Sequence, residues 1–291
     1  MTEINVGFVG LGQMGAPMAA NIAASFPVVA YDKAGASVEL PATVTVVNAL
    51  ADVAQATDTI FLSVPDGPVS ISVLQELAAL PERRVQCVID LSTTGMEASR
   101  HAHDIAAAAG ITYIDAPVSG GQAGARAGTV SLMWAGPEAE MTRHKNILDS
   151  FTGNVFHVGN DAGQGQALKV LNNFLSGTAL VATSEAILFG LSQGLDMKVM
   201  LDLINVSTGQ NTASLDKFPK RVMTETFDAG FRTALEAKDL KLYMEALTSA
   251  GTPGRLSELV ANIWVECDEA LPGSDFTQVY QYIRDGGGDP K

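Results

Sequence analysis

Residues Gly7, Phe8, Val9, Gly10, Leu11, Gly12, Gln13, Met14 and Gly15 decide how this chain is read. Gly10, Gly12 and Gly15 form a G-x-G-x-x-G run directly after the apolar stretch Asn5–Val9 and directly before a helical segment opened by Ala16 and Pro17. In a strand, turn and helix of this kind the first glycine permits a tight turn. The second lets the backbone approach a pyrophosphate, and the third lets the helix pack close to the strand. The helix start then offers unpaired N–H groups and the positive end of its dipole to the anion. Gly10, Leu11, Gly12, Gln13, Met14 and Gly15 are therefore candidate cofactor contacts. Asp32 ends the second strand, where an acid accepts hydrogen bonds from the adenosine ribose and opposes a 2′-phosphate. The expected cofactor is NAD, with NADP less favoured; the neighbouring Lys33 offers a point charge that softens the preference.

Outward from this motif, β-branched runs alternate with helix-like segments, the pattern of βαβ units and a mostly parallel sheet. Strands are predicted at Asn5–Val9, Val28–Tyr31, Val44–Val47, Thr59–Val64, Val85–Asp90, Thr112–Ile114, Thr129–Ala135 and Asn154–Val158. Helices are predicted between them near Pro17–Ser25, Ala49–Ala56, Pro68–Ala79, Met96–Ala109 and Pro137–Leu148. From about Gly165 the strand signals stop. Gln166–Gln193, Met197–Asn205, Leu235–Ala250 and Leu256–Glu269 all carry the 3.6-residue period. The glycine-rich joint Gly159–Gly165 marks the boundary. The expectation is an α/β Rossmann domain over 1–163 and an all-helical substrate and oligomerisation domain over 164–291, with a long helix joining them.

Composition narrows the function. With 47% hydrophobic and 17% charged residues the chain is too apolar to be disordered. A net charge of −14 without a Lys/Arg cluster argues against nucleic acid and anionic membrane partners. Cys87 and Cys267 form no C-x-x-C pair and read as reduced thiols. An acid in the first residues, where a signal peptide carries positive charge, gives a cytoplasmic expectation. The apolar stretch Phe174–Leu191 is broken by Ser176, Thr178, Thr183, Ser184 and Glu185 and reads as a buried helix.

Ligands collect outside the carboxyl ends of parallel strands. Val64 and Pro65 after the fourth strand and Thr93 after the fifth are thus candidate cofactor contacts, Thr93 alternatively serving as a helix cap. After the sixth strand, Ser119, Gly120 and Gly121 combine a small hydroxyl with exposed backbone N–H groups, a cradle suited to a carboxylate. Lys169 stands in an otherwise apolar helix, costly there unless used. Asn173 lies one turn on along the same face, with Asn172 beside it, so ammonium and amide can converge on one substrate oxygen. A lysine titrates at about 10.4 and must fall by about 3 to act as a base at neutrality, roughly 4 kcal/mol of environment. His101 and His103 are two apart on a helix and diverge by roughly 200°, so no metal is expected.

Four motifs in order resemble the β-hydroxyacid dehydrogenase family: Gly7–Gly15, Asp115–Gly121, Gly163–Asn173 and Phe231–Leu240. The resemblance spans nearly the whole chain. It implies a Rossmann domain, a long interdomain helix, a helical domain and a homodimer or homotetramer. It also implies that Lys169 is the catalytic acid/base, that Ser119, Gly120, Gly121 and Asn173 hold a small hydroxy acid or semialdehyde, and that Lys238 reaches the cofactor. A 6-phosphogluconate-type decarboxylase would carry a glutamate at position 176, where this chain has Ser176. Imine reductases share the architecture but usually replace the lysine. A nucleotide-sensing module without turnover is the remaining alternative. The polar segment Ser207–Phe218 is read either as part of a substrate pocket or as an interhelix loop.

Overall fold

The computed structural model describes residues 4–36 and 39–287. Met1–Glu3, from which the cytoplasmic expectation is read, lie outside them. Among the described residues nine strands build one sheet: β1 (Val6–Val9), β2 (Val28–Tyr31), β3 (Val44–Val46), β4 (Thr59–Leu62), β5 (Cys87–Asp90), β6 (Thr112–Asp115), β7 (Val118–Ser119), β8 (Val130–Ala135) and β9 (Thr152–Gly159). The first six run parallel in the order 3-2-1-4-5-6. This is the doubly wound Rossmann order, whose direction of winding reverses between β1 and β4. Strand β8 runs antiparallel to β6 and β7, and β9 lies parallel along its other edge.

The continuous apolar runs follow from burial on both faces, because alternate side chains of a strand point to opposite sides. Phe8, Phe61, Ile89 and Ile114 enter one core with α1 (Gly15–Ala23). Val9, Ile60, Leu62, Val88 and Tyr113 enter the other with α2 (Leu50–Ala56), α3 (Gly67–Ala79) and α4 (Met96–Ala108). Phe61 is the keystone of the first core, stacked on Phe8 at 6.3 Å and edge-on to Phe151 at 5.8 Å. Each such buried ring contributes about 1.5–3 kcal/mol. Two short elements depart from the sequence reading. Between β6 and β8, where the sequence suggests the Ser119–Gly121 cradle but neither a strand nor a helix, the chain inserts β7 and helix α5 (Gly121–Ala127). Residues 120–128 are mostly glycine and alanine, so no apolar period announces them. Helix α6 (Glu138–Leu148) then precedes β9.

Helix α7 (Gln164–Ser192) runs 29 residues without proline, and the division between two compact units falls within it, after Lys169. It is long and apolar enough to cross a membrane by length and composition, a test that a core helix of a soluble protein also passes; only 39% of its apolar window is buried, with Leu175 and Phe189 exposed, so the expected buried helix is buried only in part. The second unit adds α8 (Met197–Ile204), a π-helical stretch Ala213–Val222, α9 (Thr233–Ala250), α10 (Arg255–Ala270), a 3-10 turn Phe276–Gln278 and α11 (Val279–Arg284). Its core gathers Leu180, Ile187, Phe218, Leu240, Trp264 and Val279. The π-helical stretch takes up the end of the segment Ser207–Phe218. Asn211 Oδ1 accepts the backbone N–H groups of Ala213 (2.9 Å) and Ser214 (3.0 Å), starting a helix that holds Pro219 in its interior, a position proline ordinarily disfavours. Both cysteines are free and buried, and burial pushes the Cys267 thiol up to about 12.

Candidate active site

The glycine turn after β1 takes its shape from exclusion. Gly10 has φ +96°, and its N–H donates to Tyr31 O at 3.0 Å. A Cβ at Gly10 would run into the Ser63 carbonyl beyond β4, and one at Gly15 into the Gly10 carbonyl. At Gly12 a Cβ would meet nothing within 4 Å. Gly12 and Gln13 are exposed, Met14 is half-buried and Leu11 is buried. An open strip of backbone thus sits at the carboxyl ends of the strands, where the winding reverses. Beside it Asp32 accepts the N–H groups of Leu11 on Oδ2 (2.6 Å) and Ala34 on Oδ1 (2.7 Å). A carboxylate oxygen has a second lone pair, so Asp32 retains acceptor capacity for ribose hydroxyls. These residues fit a dinucleotide.

The next strand ends are tied together from below. Asp90, buried at the end of β5, accepts from Ser70 Oγ (2.5 Å), Tyr113 OH (3.1 Å) and Ser92 N (2.9 Å), and desolvation raises its pKa. Ser92 Oγ in turn accepts the Val64 N–H at 2.9 Å. Val64 and Thr93 are half-buried and Pro65 is exposed. Thr93 is not the cap of α4: that position belongs to Gly95, at φ +84°. After β6, Ser119 ends β7 opposite Ser131. Gly120 (φ +133°) and Gly121 (φ +60°) turn the chain into α5 in conformations that side chains rarely adopt.

At the start of α7 a second buried carboxylate organises the chain. Asp115 Oδ2 accepts the N–H groups of Gly163 (2.9 Å) and Gln166 (3.1 Å), and Oδ1 accepts Gln166 Nε2 (2.7 Å). Burial, opposed by these hydrogen bonds, leaves the Asp115 carboxyl raised to about 6. One turn beyond Gln166 stands Lys169, 8% exposed. In the second unit, on the same helix, Asn173 is buried and its Nδ2 donates to Asp239 Oδ2 at 2.6 Å, while Asn172 is exposed and donates to Asn173 Oδ1 at 3.4 Å. Lys238 Nζ lies 3.2 Å from the other oxygen of Asp239. Asp239 therefore joins the two residues of the second unit that the motifs single out. The roles of Asp90, Gln166 and Asp239 escape sequence reading. Their only signal is a polar type placed where the helix or strand period demands burial.

Among the described residues one trio has metal-ligand chemistry: Cys87, Glu140 and His144, whose potential ligand atoms all lie within 4.8 Å of one another. His144 Nδ1 lies 2.8 Å from Glu140 O, and a carbonyl only accepts, so Nδ1 carries the proton. Nε2 then accepts from Thr59 Oγ1 at 2.8 Å. Both ring nitrogens are engaged, and burial lowers the His144 pKa, so the trio is packed core with a neutral imidazole. His101 and His103 are both exposed on α4.

Comparison with known proteins agrees with this architecture. Residues 5–159 match the family described as the NAD binding domain of 6-phosphogluconate dehydrogenase. Residues 163–283 match the family described as the NAD-binding region of NADP-dependent 3-hydroxyisobutyrate dehydrogenase. The mitochondrial 3-hydroxyisobutyrate dehydrogenase of Rattus norvegicus is 32% identical over 96% of this chain and 87% of its own length. The 2-(hydroxymethyl)glutarate dehydrogenase of Eubacterium barkeri is 34% identical over 90% and 88%. A solved structure of Mycobacterium tuberculosis 3-hydroxyisobutyrate dehydrogenase with L-serine aligns at TM-score 0.86 and 30% identity, covering 97% of this chain and 100% of that one. With its 3-2-1-4-5-6 sheet, its open glycine turn and relatives matched along nearly its full length, the chain belongs to the β-hydroxyacid dehydrogenase family of NAD(P)-dependent oxidoreductases acting on CH–OH groups.

Proposed function

We propose that the protein catalyses the reversible, NAD-linked oxidation of a small 3-hydroxy acid to its semialdehyde, with Lys169 as the acid–base group. The observation that carries this reading is a lysine only 8% exposed, in an apolar helix, one turn beyond a buried polar anchor. The bound dinucleotide would accept the hydride in oxidation and return it in reduction. Lys169 takes the hydroxyl proton in the first direction and gives a proton to the carbonyl oxygen in the second. Ser119, Gly120 and Gly121 hold the substrate carboxylate, Asn173 with Asn172 orients the reacting oxygen, and Lys238 reaches the cofactor. Asp32, with Gly10 to Gly15, Val64, Pro65 and Thr93, selects and seats NAD; Lys33 beside Asp32 is the feature that favours some use of NADP. The first unit is the dinucleotide-binding part, and the second contributes to substrate binding and assembly.

The relatives' substrates supply the panel: 3-hydroxyisobutyrate and 2-(hydroxymethyl)glutarate, each with NAD and NADP. Lys169→Ala lowers turnover by roughly 10²- to 10⁴-fold, the usual worth of a positioned acid–base group, while NAD still binds. An active Lys169→Ala variant removes this lysine from the mechanism. Assembly as a homodimer or homotetramer is supported by apolar side chains exposed on the second unit, Val199, Leu203 and Val206 along and after α8 and Leu256 and Leu259 on α10. Light scattering that reads a monomer at micromolar concentration would remove that part of the proposal.

A further inference from the structure

A primary carboxamide has two N–H donors and two acceptor lone pairs, and Gln166 uses all four. Its Oε1 accepts the N–H groups of Thr94 (2.9 Å) and Gly95 (3.2 Å). Its Nε2 donates to Ser92 O (3.1 Å) and Asp115 Oδ1 (2.7 Å). The reverse amide orientation would set oxygen against oxygen at both latter partners, so the direction is fixed. Gln166 and Asp115 are completely buried, and Ser92 and Thr94 nearly so. Asp115 closes the circuit by capping the first turn of α7 with its other oxygen, a carboxylate supplied at a helix N-terminus from a different element.

Each arm of this hub ends beside a residue of the proposed site. Thr93 lies between two hub partners, Ser119 lies four residues after Asp115, and Lys169 follows Gln166 by three. We propose that Gln166, clamped by Asp115, is a positioning residue: it fixes the start of α7, and hence Lys169, against the turn Ser92–Gly95. Its loss lowers turnover without releasing cofactor. This rests on the assignment of Lys169 as the acid–base group. A misplacement of about 1 Å at a reacting group costs roughly 10²-fold, so a hub that only holds geometry has a large effect on rate.

The test is a charge transfer across the clamp, assayed with 3-hydroxyisobutyrate and NAD. Gln166→Glu keeps length and the acceptor side but sets a second carboxylate against Asp115 and Ser92 O. Asp115→Asn sets donor against donor. The double variant restores the donor–acceptor pair between positions 115 and 166 with the same net charge as the parent, and only the repulsion against Ser92 O remains. Each single variant is expected to lose kcat by roughly 10- to 100-fold with KM for NAD little changed, and the double variant to recover most of the loss. Gln166→Asn, an amide one methylene short, guards against a Gln166→Glu chain that does not fold, and it too should lose kcat. A double variant no better than the worse single overturns the proposal. So does a kcat loss matched by equal losses in NAD binding and thermal midpoint. Lys169→Ala, run alongside, separates the two claims: if it is inactive while Gln166→Glu keeps kcat, the positioning role alone is wrong, and if it stays active the acid–base assignment is wrong.

Discussion

Two stretches of backbone at the carboxyl edge of the same sheet are held in shape by opposite means. The turn after β1 is steric: Gly10 and Gly15 are where they are because the Ser63 and Gly10 carbonyls leave no room for a side chain. The join between β6 and α7 is electrostatic: a buried carboxylate and a buried amide collect the backbone groups of Gly163, Gln166, Ser92, Thr94 and Gly95. A steric constraint is local, indifferent to pH, and broken by adding one methyl group. A hydrogen-bonded one is assembled from distant segments and depends on the charge state of its centre. The two should therefore fail differently.

The largest effect is expected where exclusion is tightest. Gly10→Ala places a methyl group against backbone that cannot retreat, at a φ of +96° that alanine avoids. Strained backbone and overpacking together cost about 4 kcal/mol, enough to remove a large share of a domain's stability. Urea unfolding measures it, and a midpoint equal to that of the parent chain would show that the turn is not sterically set.

The same contrast explains what can be read from the sequence. Gly10 and Gly15 are legible because no other residue satisfies their geometry, and Asp32 because its distance from them is fixed by one helix and one strand. Lys169 is legible as the odd cation in an apolar period. The hub is not. Asp115 and Gln166 are 51 positions apart and Gln166 and Ser92 are 74 apart, and nothing in either neighbourhood names the other. Helix α5 is hidden because a run of glycine and alanine has no hydrophobic period to betray it. The start of the π-helical stretch is hidden because it depends on one amide, Asn211, while Pro219 gives the opposite signal. Side-chain hydrogen bonds at long sequence separation are the common reason.

A pH titration acts on the hydrogen-bonded join and not on the steric turn. The Asp115 carboxyl is raised from 3.8 to about 6 by burial, with Asp90 and Tyr113 the ionisable groups near it. Between those values the folded chain holds a proton there that the unfolded chain has released, so stability falls as pH rises through the window and levels off above about 6. The full gap is equivalent to about 3 kcal/mol. Asp115→Asn cannot titrate. The stability of the parent chain relative to this variant should drop by that order between pH 4 and 6.5, measured by urea unfolding at each pH. A difference that stays constant would mean that the hub carries its charge at no cost. Gly10→Ala should show no such pH dependence against the parent.

The smallest effect on the fold is expected within the steric turn itself. Gly12 belongs to the same motif as Gly10, yet a Cβ there meets no protein atom. Gly12→Ala should leave unfolding within about 1 kcal/mol of the parent, because nothing is displaced and the lost backbone freedom of glycine partly compensates. What the added methyl group fills is the strip assigned to the pyrophosphate, so NAD affinity should fall by roughly tenfold or more, about 1.4 kcal/mol. Isothermal titration with NAD beside a urea curve separates the two. A variant that binds NAD as the parent does would place the pyrophosphate elsewhere, since only a ligand can make an otherwise empty position intolerant of a side chain.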